Sequence, residues 1–171
     1  MKLIKLILFF VFFTFTSVIA DTPYFIDFKY VLNESVAGKK AQKDLKSQLE
    51  KGLEQLKSKE KKVQEDEKKI IQQKKIISAE EYKKKVENLR SKVNSLRKER
   101  STLLESVAKQ RSKARNELLK NLNPIIKDYM KEKNIRLVID KKQVLLGDDK
   151  LDITKDIISL LNSKLKSINL N

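Results

Sequence analysis

Leu49, Leu56, Val63, Ile70 and Ile77 recur at strict seven-residue intervals in a stretch whose only breaker is Gly52. Seven residues are close to two helical turns, so such a line stays on one face only if the chain is helical. An apolar line of this length needs a partner helix to cover it. The second seam is weak: Leu45 and Leu53 serve it early, then Lys and Glu replace them. The expectation is a long, coiled-coil-like helix with an under-filled interface.

The pattern breaks at residues 76–81. Ser78 followed three residues later by Glu81 is a capping box, in which the hydroxyl accepts from the free Glu81 amide. One helix should end near Ile77 and the next begin near Ala79. In the second, Tyr82, Val86, Leu89, Val93, Leu96, Leu103 and Val107 alternate spacings of four and three, missing a beat at Arg100. Ala114, Leu118, Leu122, Ile125, Ile126 and Tyr129 continue that face. Pro124 is expected to kink or break it, because proline lacks an amide and crowds the preceding turn. Two helices joined by so short a turn run antiparallel. Leu56 should then lie level with Arg100, and Leu49 with Val107. Each arm of about 40 residues would be about 60 Å long.

The ends of the hairpin deliver both flanking segments to one place. Residues 24–28 read as a strand, as do residues 135–139. Lys141 and Lys142 offer a turn, and Gln143 to Leu146 a third strand. Leu151 to Leu165 shows a helical pattern capped by Asp152 or Thr154. The fold class is therefore mainly α: a long antiparallel hairpin projecting from a short-stranded β base. The hairpin covers 33–132 with its tip near 76–81, and the base, including the last helix, covers 21–32 and 133–171. Three short strands do not make a stable base alone, so the chain should oligomerise through them.

Residues 1–20 read as a secretory signal peptide. Lys2 and Lys5 precede a run from Leu6 to Ile19 that is apolar apart from Thr14, Thr16 and Ser17, and Ala20 sits at the cleavage position. No Cys follows, which excludes a lipoprotein anchor. The net charge of +16 falls only to +14 when Lys2 and Lys5 are removed. With no Cys and no His, Cys-based zinc sites, thiol nucleophiles and His-dependent triads are excluded. The three Gly are isolated and no phosphate loop is present. Neither an enzyme nor a cofactor or metal site is expected. A basic stripe could bind phosphates, but the arms lack base-stacking aromatics and export removes the chain from nucleic acid.

The segment carrying Asp27, Val31, Leu32, Ser35, Ala37, Gly38, Lys39, Ala41, Gln42 and Leu45 resembles the opening of the Skp/OmpH family of periplasmic chaperones. Leu137, Val138, Asp140, Val144, Asp152, Ile153 and Thr154 resemble its closing strand pair and helix. With the hairpin between, the resemblance spans essentially the whole exported chain. It implies a homotrimer with an intersubunit β-barrel and three tentacles around a cavity. Unfolded outer-membrane β-barrel proteins would be held there, without nucleotide, before membrane assembly. Members of the family can bind lipopolysaccharide through basic arm residues. That cluster cannot be matched residue by residue to this sequence, so contact with lipopolysaccharide or an anionic membrane surface is implied by the family alone.

Passive binding fits the residues themselves. The tip concentrates Lys68, Lys69, Lys74, Lys75, Lys83, Lys84 and Lys85, with Ile71, Ile76 and Tyr82 among them. Charge attracts acidic clients over about 8 Å at physiological salt, and Lys stems add apolar surface. These ten are the candidate client-binding residues. The bland alternative is a solvated helix face. Phe25, Ile26, Phe28, Leu137, Val138, Ile139 and Val144 are candidates for base core or oligomer interface. The competing function is a structural coiled-coil spacer or adaptor of the cell envelope, which heptads alone fit equally well.

Overall fold

The computed structural model describes residues 22–170; the expected signal peptide lies outside them. The order is β1 (Tyr24–Ile26), α1 (Phe28–Glu34), α2 (Val36–Gln73), α3 (Ala79–Glu132), β2 (Val138–Asp140), 3-10 turns at Lys141–Gln143 and Asp149–Leu151, and α4 (Thr154–Lys164). Helices α2 and α3, of 38 and 54 residues, form the hairpin.

The first strand stops earlier than the apolar run suggests. The Asp27 carboxylate accepts from the Tyr30 amide at 2.8 Å and starts α1, so Phe28 is helical. Ser35 then serves two helices. Its amide donates to Val31 O at 3.1 Å to close α1, and its hydroxyl accepts from the Gly38 amide at 3.2 Å to open α2. Val31, Ser35 and Ala37 are fully buried at this corner. The opening motif is thus a tight helix–helix turn built from small and capping residues. The core forms around it, where α1, α4, the start of α2 and the end of α3 meet: Leu118, Leu122, Ile157 and Leu161 pack with Ile26 and Val31.

Strands β1 and β2 pair in parallel, with Tyr24 opposite Val138, Phe25 opposite Ile139 and Ile26 opposite Asp140. Parallel neighbours need a long crossover connection. Here the whole arm is that crossover. On its other side β1 meets Asp152 in an isolated bridge, and Phe25 O accepts from the Ile153 amide at 3.0 Å.

Four further expectations are corrected. The helix α2 ends at Gln73, not near Ile77, and residues 74–78 form the turn; the Ile77 amide still donates a hydrogen bond to Gln73 O at 3.1 Å. Helix α3 runs unbroken through Pro124, so the expected break does not occur. The ring faces solvent, while Leu122, Ile125 and Ile126 around it are buried. A proline inside a helix costs about 3 kcal/mol, and burying each of those side chains returns roughly 1.5–3 kcal/mol. The second strand is displaced to 138–140. Asn134 takes φ 54°, and the Ile135 amide donates to Met130 O at 2.8 Å, a Schellman ending that sends Ile135 into the helical core instead. The third strand does not form in this chain. Asp140 Oδ1 accepts from the Lys142 amide at 3.0 Å and winds residues 141–143 into a 3-10 turn. Leu145 and Leu146 beyond it are 95% and 91% exposed.

Helix α4 starts at Thr154, whose amide donates to Asp152 Oδ1 at 2.9 Å. The Thr154 hydroxyl also bonds Asp152 and accepts from the Asp27 amide at 2.9 Å, tying α4 to the strand end. Lys141 Nζ completes the cluster at 2.5 Å from Asp152 Oδ2. Burial pushes the Asp152 carboxyl up, but hydrogen bonds from Lys141 and Thr154 outweigh it and hold the group below the usual carboxylate range.

Candidate functional site: the outer arm

Three side-chain contacts set the arm's register. Lys59 Nζ lies 2.6 Å from Glu99 Oε2, Lys92 Nζ 2.7 Å from Asp66 Oδ2, and Lys85 Nζ 2.8 Å from Gln73 Oε1. Each step is seven residues on α2 and seven on α3, so these are rungs of one ladder on one edge of the hairpin. Glu60 and Arg100 add a looser pair at 3.9 Å, one turn from Leu56, at whose level Arg100 is expected.

Burial falls off sharply along the arm. Leu45, Leu56, Val107, Ala114 and Leu118 are buried. Between residues 57 and 106 no described side chain is. The seam residues Val63, Ile70, Leu89, Val93 and Leu96 are only half-buried. Leu53, expected in the second seam, is 38% exposed. The polar rungs add exposed opposite-charge contacts to this half-buried seam, and Asp66 is one of them.

Acid should loosen this part first. A hydrogen bond from Lys92 holds Asp66 below its usual pKa, and one from Lys59 does the same for Glu99. A depressed folded pKa contributes stability that is present above about pH 4 and is lost as pH falls through the folded value. Amide exchange in residues 57–73 and 85–106 should accelerate on acidification, relative to base-catalysed expectation, before exchange near Leu122 and Ile157 does. Equal response in both regions would contradict it.

At the tip, Lys68, Lys69, Lys74, Lys75, Lys83 and Lys84 are exposed. Ile71 and Ile76 are 60% and 83% exposed. Tyr82 is half-buried, with Lys74 Nζ 5.8 Å from its ring centre. Lys85 is turned inward: it makes the Gln73 rung and lies 3.4 Å from Glu81. Ser78 accepts from the Glu81 amide at 3.1 Å, the forward half of the capping box. The candidates thus share one end of the hairpin, about 50 Å from the core by helix rise.

The base candidates separate. Ile26 and Phe25 are buried, and Phe28 and Val138 pack half-buried on the core. Ile139 and Val144 are half-buried, and Leu137 is 52% exposed. Lys141 lies 5.6 Å from the centre of the Phe25 ring.

A family model described as outer membrane protein (OmpH-like) matches residues 24–161. The chain belongs to that family. A crystal structure of a candidate outer membrane chaperone (OmpH-like) from Caulobacter crescentus CB15 is similar in fold, with a TM-score of 0.81 at 18% identity over 86% of this chain and 89% of that one. No curated protein matches the sequence. For an OmpH-like chain, two features here were not anticipated: the ladder, and the exposed Leu145 and Leu146. The ladder was open to discovery, since Lys59 and Glu99, and Asp66 and Lys92, are opposite charges mirrored about the turn.

Among the described residues no group of acidic side chains could hold a metal ion, and no helix is long and apolar enough to cross a membrane.

Proposed function

We propose that this OmpH-like chain is an ATP-independent periplasmic holdase. Three copies join through their bases, and their basic arms hold unfolded outer-membrane β-barrel proteins in the cavity between, preventing aggregation before membrane assembly. The observation that carries this reading is the outer arm, which commits no side chain to a buried core and presents lysines beside exposed Ile71 and Ile76. Such a surface makes many weak contacts that form and release without fuel. The test is aggregation of an unfolded β-barrel protein with stoichiometric amounts of the purified chain, with the mass of the complex measured. Aggregation at the uncatalysed rate would favour the envelope-spacer reading instead.

The trimer reading is supported by residues 144–146, an apolar segment with no strand partner in its own chain, and by β2, which pairs with β1 alone among the described residues. Covering it by a second copy removes Leu145 and Leu146 from water, at roughly 1.5–3 kcal/mol each when fully buried. Leu145→Lys with Leu146→Lys should shift sedimentation at micromolar concentration from trimer toward monomer while helix content stays. An unchanged oligomer would remove this segment from the interface.

A further inference from the structure

The groove beside the ladder is a repeated structure. Between the Gln73–Lys85 and Asp66–Lys92 rungs lies an open cleft of ≈ 310 Å³, floored by Ile70 and Leu89 and walled by Lys69 and Asn88. Between the Asp66–Lys92 and Lys59–Glu99 rungs lies a second of ≈ 360 Å³. It repeats the first one heptad toward the base: Val63 and Leu96 form the floor, Lys62 and Ser95 the walls. Each cleft thus has two half-buried apolar side chains below, a lysine on the α2 side and one small polar residue on the α3 side; the second also has Glu65 on its α2 side. The row ends at the turn on one side. On the other, Leu103 lies across Gly52, so close that a Cβ there would sit 2.6 Å from it.

The spacing decides what fits. The clefts are one heptad apart, about 10.5 Å of helix rise. Side chains on one face of an extended strand recur every ~6.7 Å. An α-helix repeats a side chain at the same 10.5 Å after seven residues, and stays in step over both clefts. Lys62 and Lys69 call for acidic neighbours on that helix, placed clear of Glu65. A second copy of this arm does not supply them: its own heptad line is already used in the seam, and the chain carries a net charge of +16.

We propose that this groove docks an acidic amphipathic helix of about two heptads, with one apolar side chain in every seven entering a cleft and carboxylates meeting Lys62 and Lys69. This surface shares Lys69 and Lys85 with the tip's candidate client-binding residues, but it does not depend on the holdase reading.

The probe is a labelled three-heptad peptide with Leu at one position in seven, Glu on either side and Ala elsewhere, titrated by fluorescence anisotropy against the full exported chain. Two control peptides keep the composition: one moves the Leu residues to alternate positions, the other exchanges one central Ala for Pro. The helical peptide should bind at least about tenfold more tightly than either. Lys62→Glu with Lys69→Glu should weaken it about tenfold, while Lys109→Glu with Arg111→Glu, the same charge change beyond Leu103, leaves it within about twofold. Should the reversal disturb the arm's circular dichroism, Asn88→Phe with Ser95→Phe fills both clefts without changing charge and should abolish binding. Equal affinity for all three peptides, equal loss from both reversals, or undiminished binding to the filled clefts overturns the proposal. Aggregation suppression is measured separately on the unsubstituted chain, so failure of this proposal and failure of the holdase reading are distinguishable.

Discussion

Gly38→Ala is expected to be the most damaging single-methyl change in this protein. A Cβ at Gly38 would sit 1.9 Å from Leu32 O and 2.9 Å from the Ser35 hydroxyl. The first of these is backbone, held in place by α1, so the corner itself must open. Gly38 has no unusual φ. The requirement is for space, where one helix crosses the first turn of the next. Overpacking a tight site costs typically 1–3 kcal/mol and more where backbone must move, so a loss of about 3 kcal/mol is expected, or roughly a 10 °C fall in Tm. Gly52→Ala is the control. Its Cβ meets only the ends of the Leu103 side chain at 2.6 and 2.7 Å, which can turn away, and alanine adds up to about 1 kcal/mol of helix propensity. Thermal unfolding of both variants checks the contrast. Equal melting temperatures would show that α1 and α2 can separate freely, and the account of the opening motif would fall.

The second large effect concerns client capture. Reversing Lys74, Lys75, Lys83 and Lys84 to Glu changes the tip by eight charges while leaving every ladder rung and both groove lysines intact. Under the holdase reading, affinity for an unfolded β-barrel protein at physiological salt should fall by about tenfold or more, since each reversal replaces attraction to acidic stretches with repulsion. The difference should shrink toward nothing near 1 M salt, where the Debye length is about 3 Å. What remains there measures the apolar share, which Ile71→Ser with Ile76→Ser should reduce in turn. Unchanged capture at low salt would reduce the lysines to a solvated face.

Much of the arm could be read from the sequence because helical periodicity is a local signal. The line from Leu49 to Ile70 required a helix, and Ser78 marked where the second begins. The thin second seam was also legible, as lysines standing where leucines should be. The ends of the chain were harder, because short polar contacts decide them. Asp27 and Asp140 each capture an amide two or three residues on and cut short an apolar run that reads as strand. Nothing in the pattern around Pro124 reveals that the packing of Leu122, Ile125 and Ile126 outweighs the missing hydrogen bond. The candidate lysines were visible as a cluster, but not that Lys85 belongs to the ladder. Asp66 carried no signal of its own in the sequence and is a rung.

The parallel pairing of Tyr24 with Val138 also bears on how the molecule comes into being. A chain threaded outward amino end first releases β1 and the α1–α2 corner long before their partners. Closing a loop of more than a hundred residues directly carries an entropic cost of about 4 kcal/mol. The hairpin removes most of that cost by zipping from its turn, each new rung adding contacts close in sequence, until the two distant ends arrive side by side. On that order of events the arm forms first and the base last. Until Ile153, Ile157 and Leu161 emerge, Ile26 and Val31 have no core to enter. On the export expected from residues 1–20, the newborn protein would pass through the condition, apolar and incomplete, in which other chains need a chaperone.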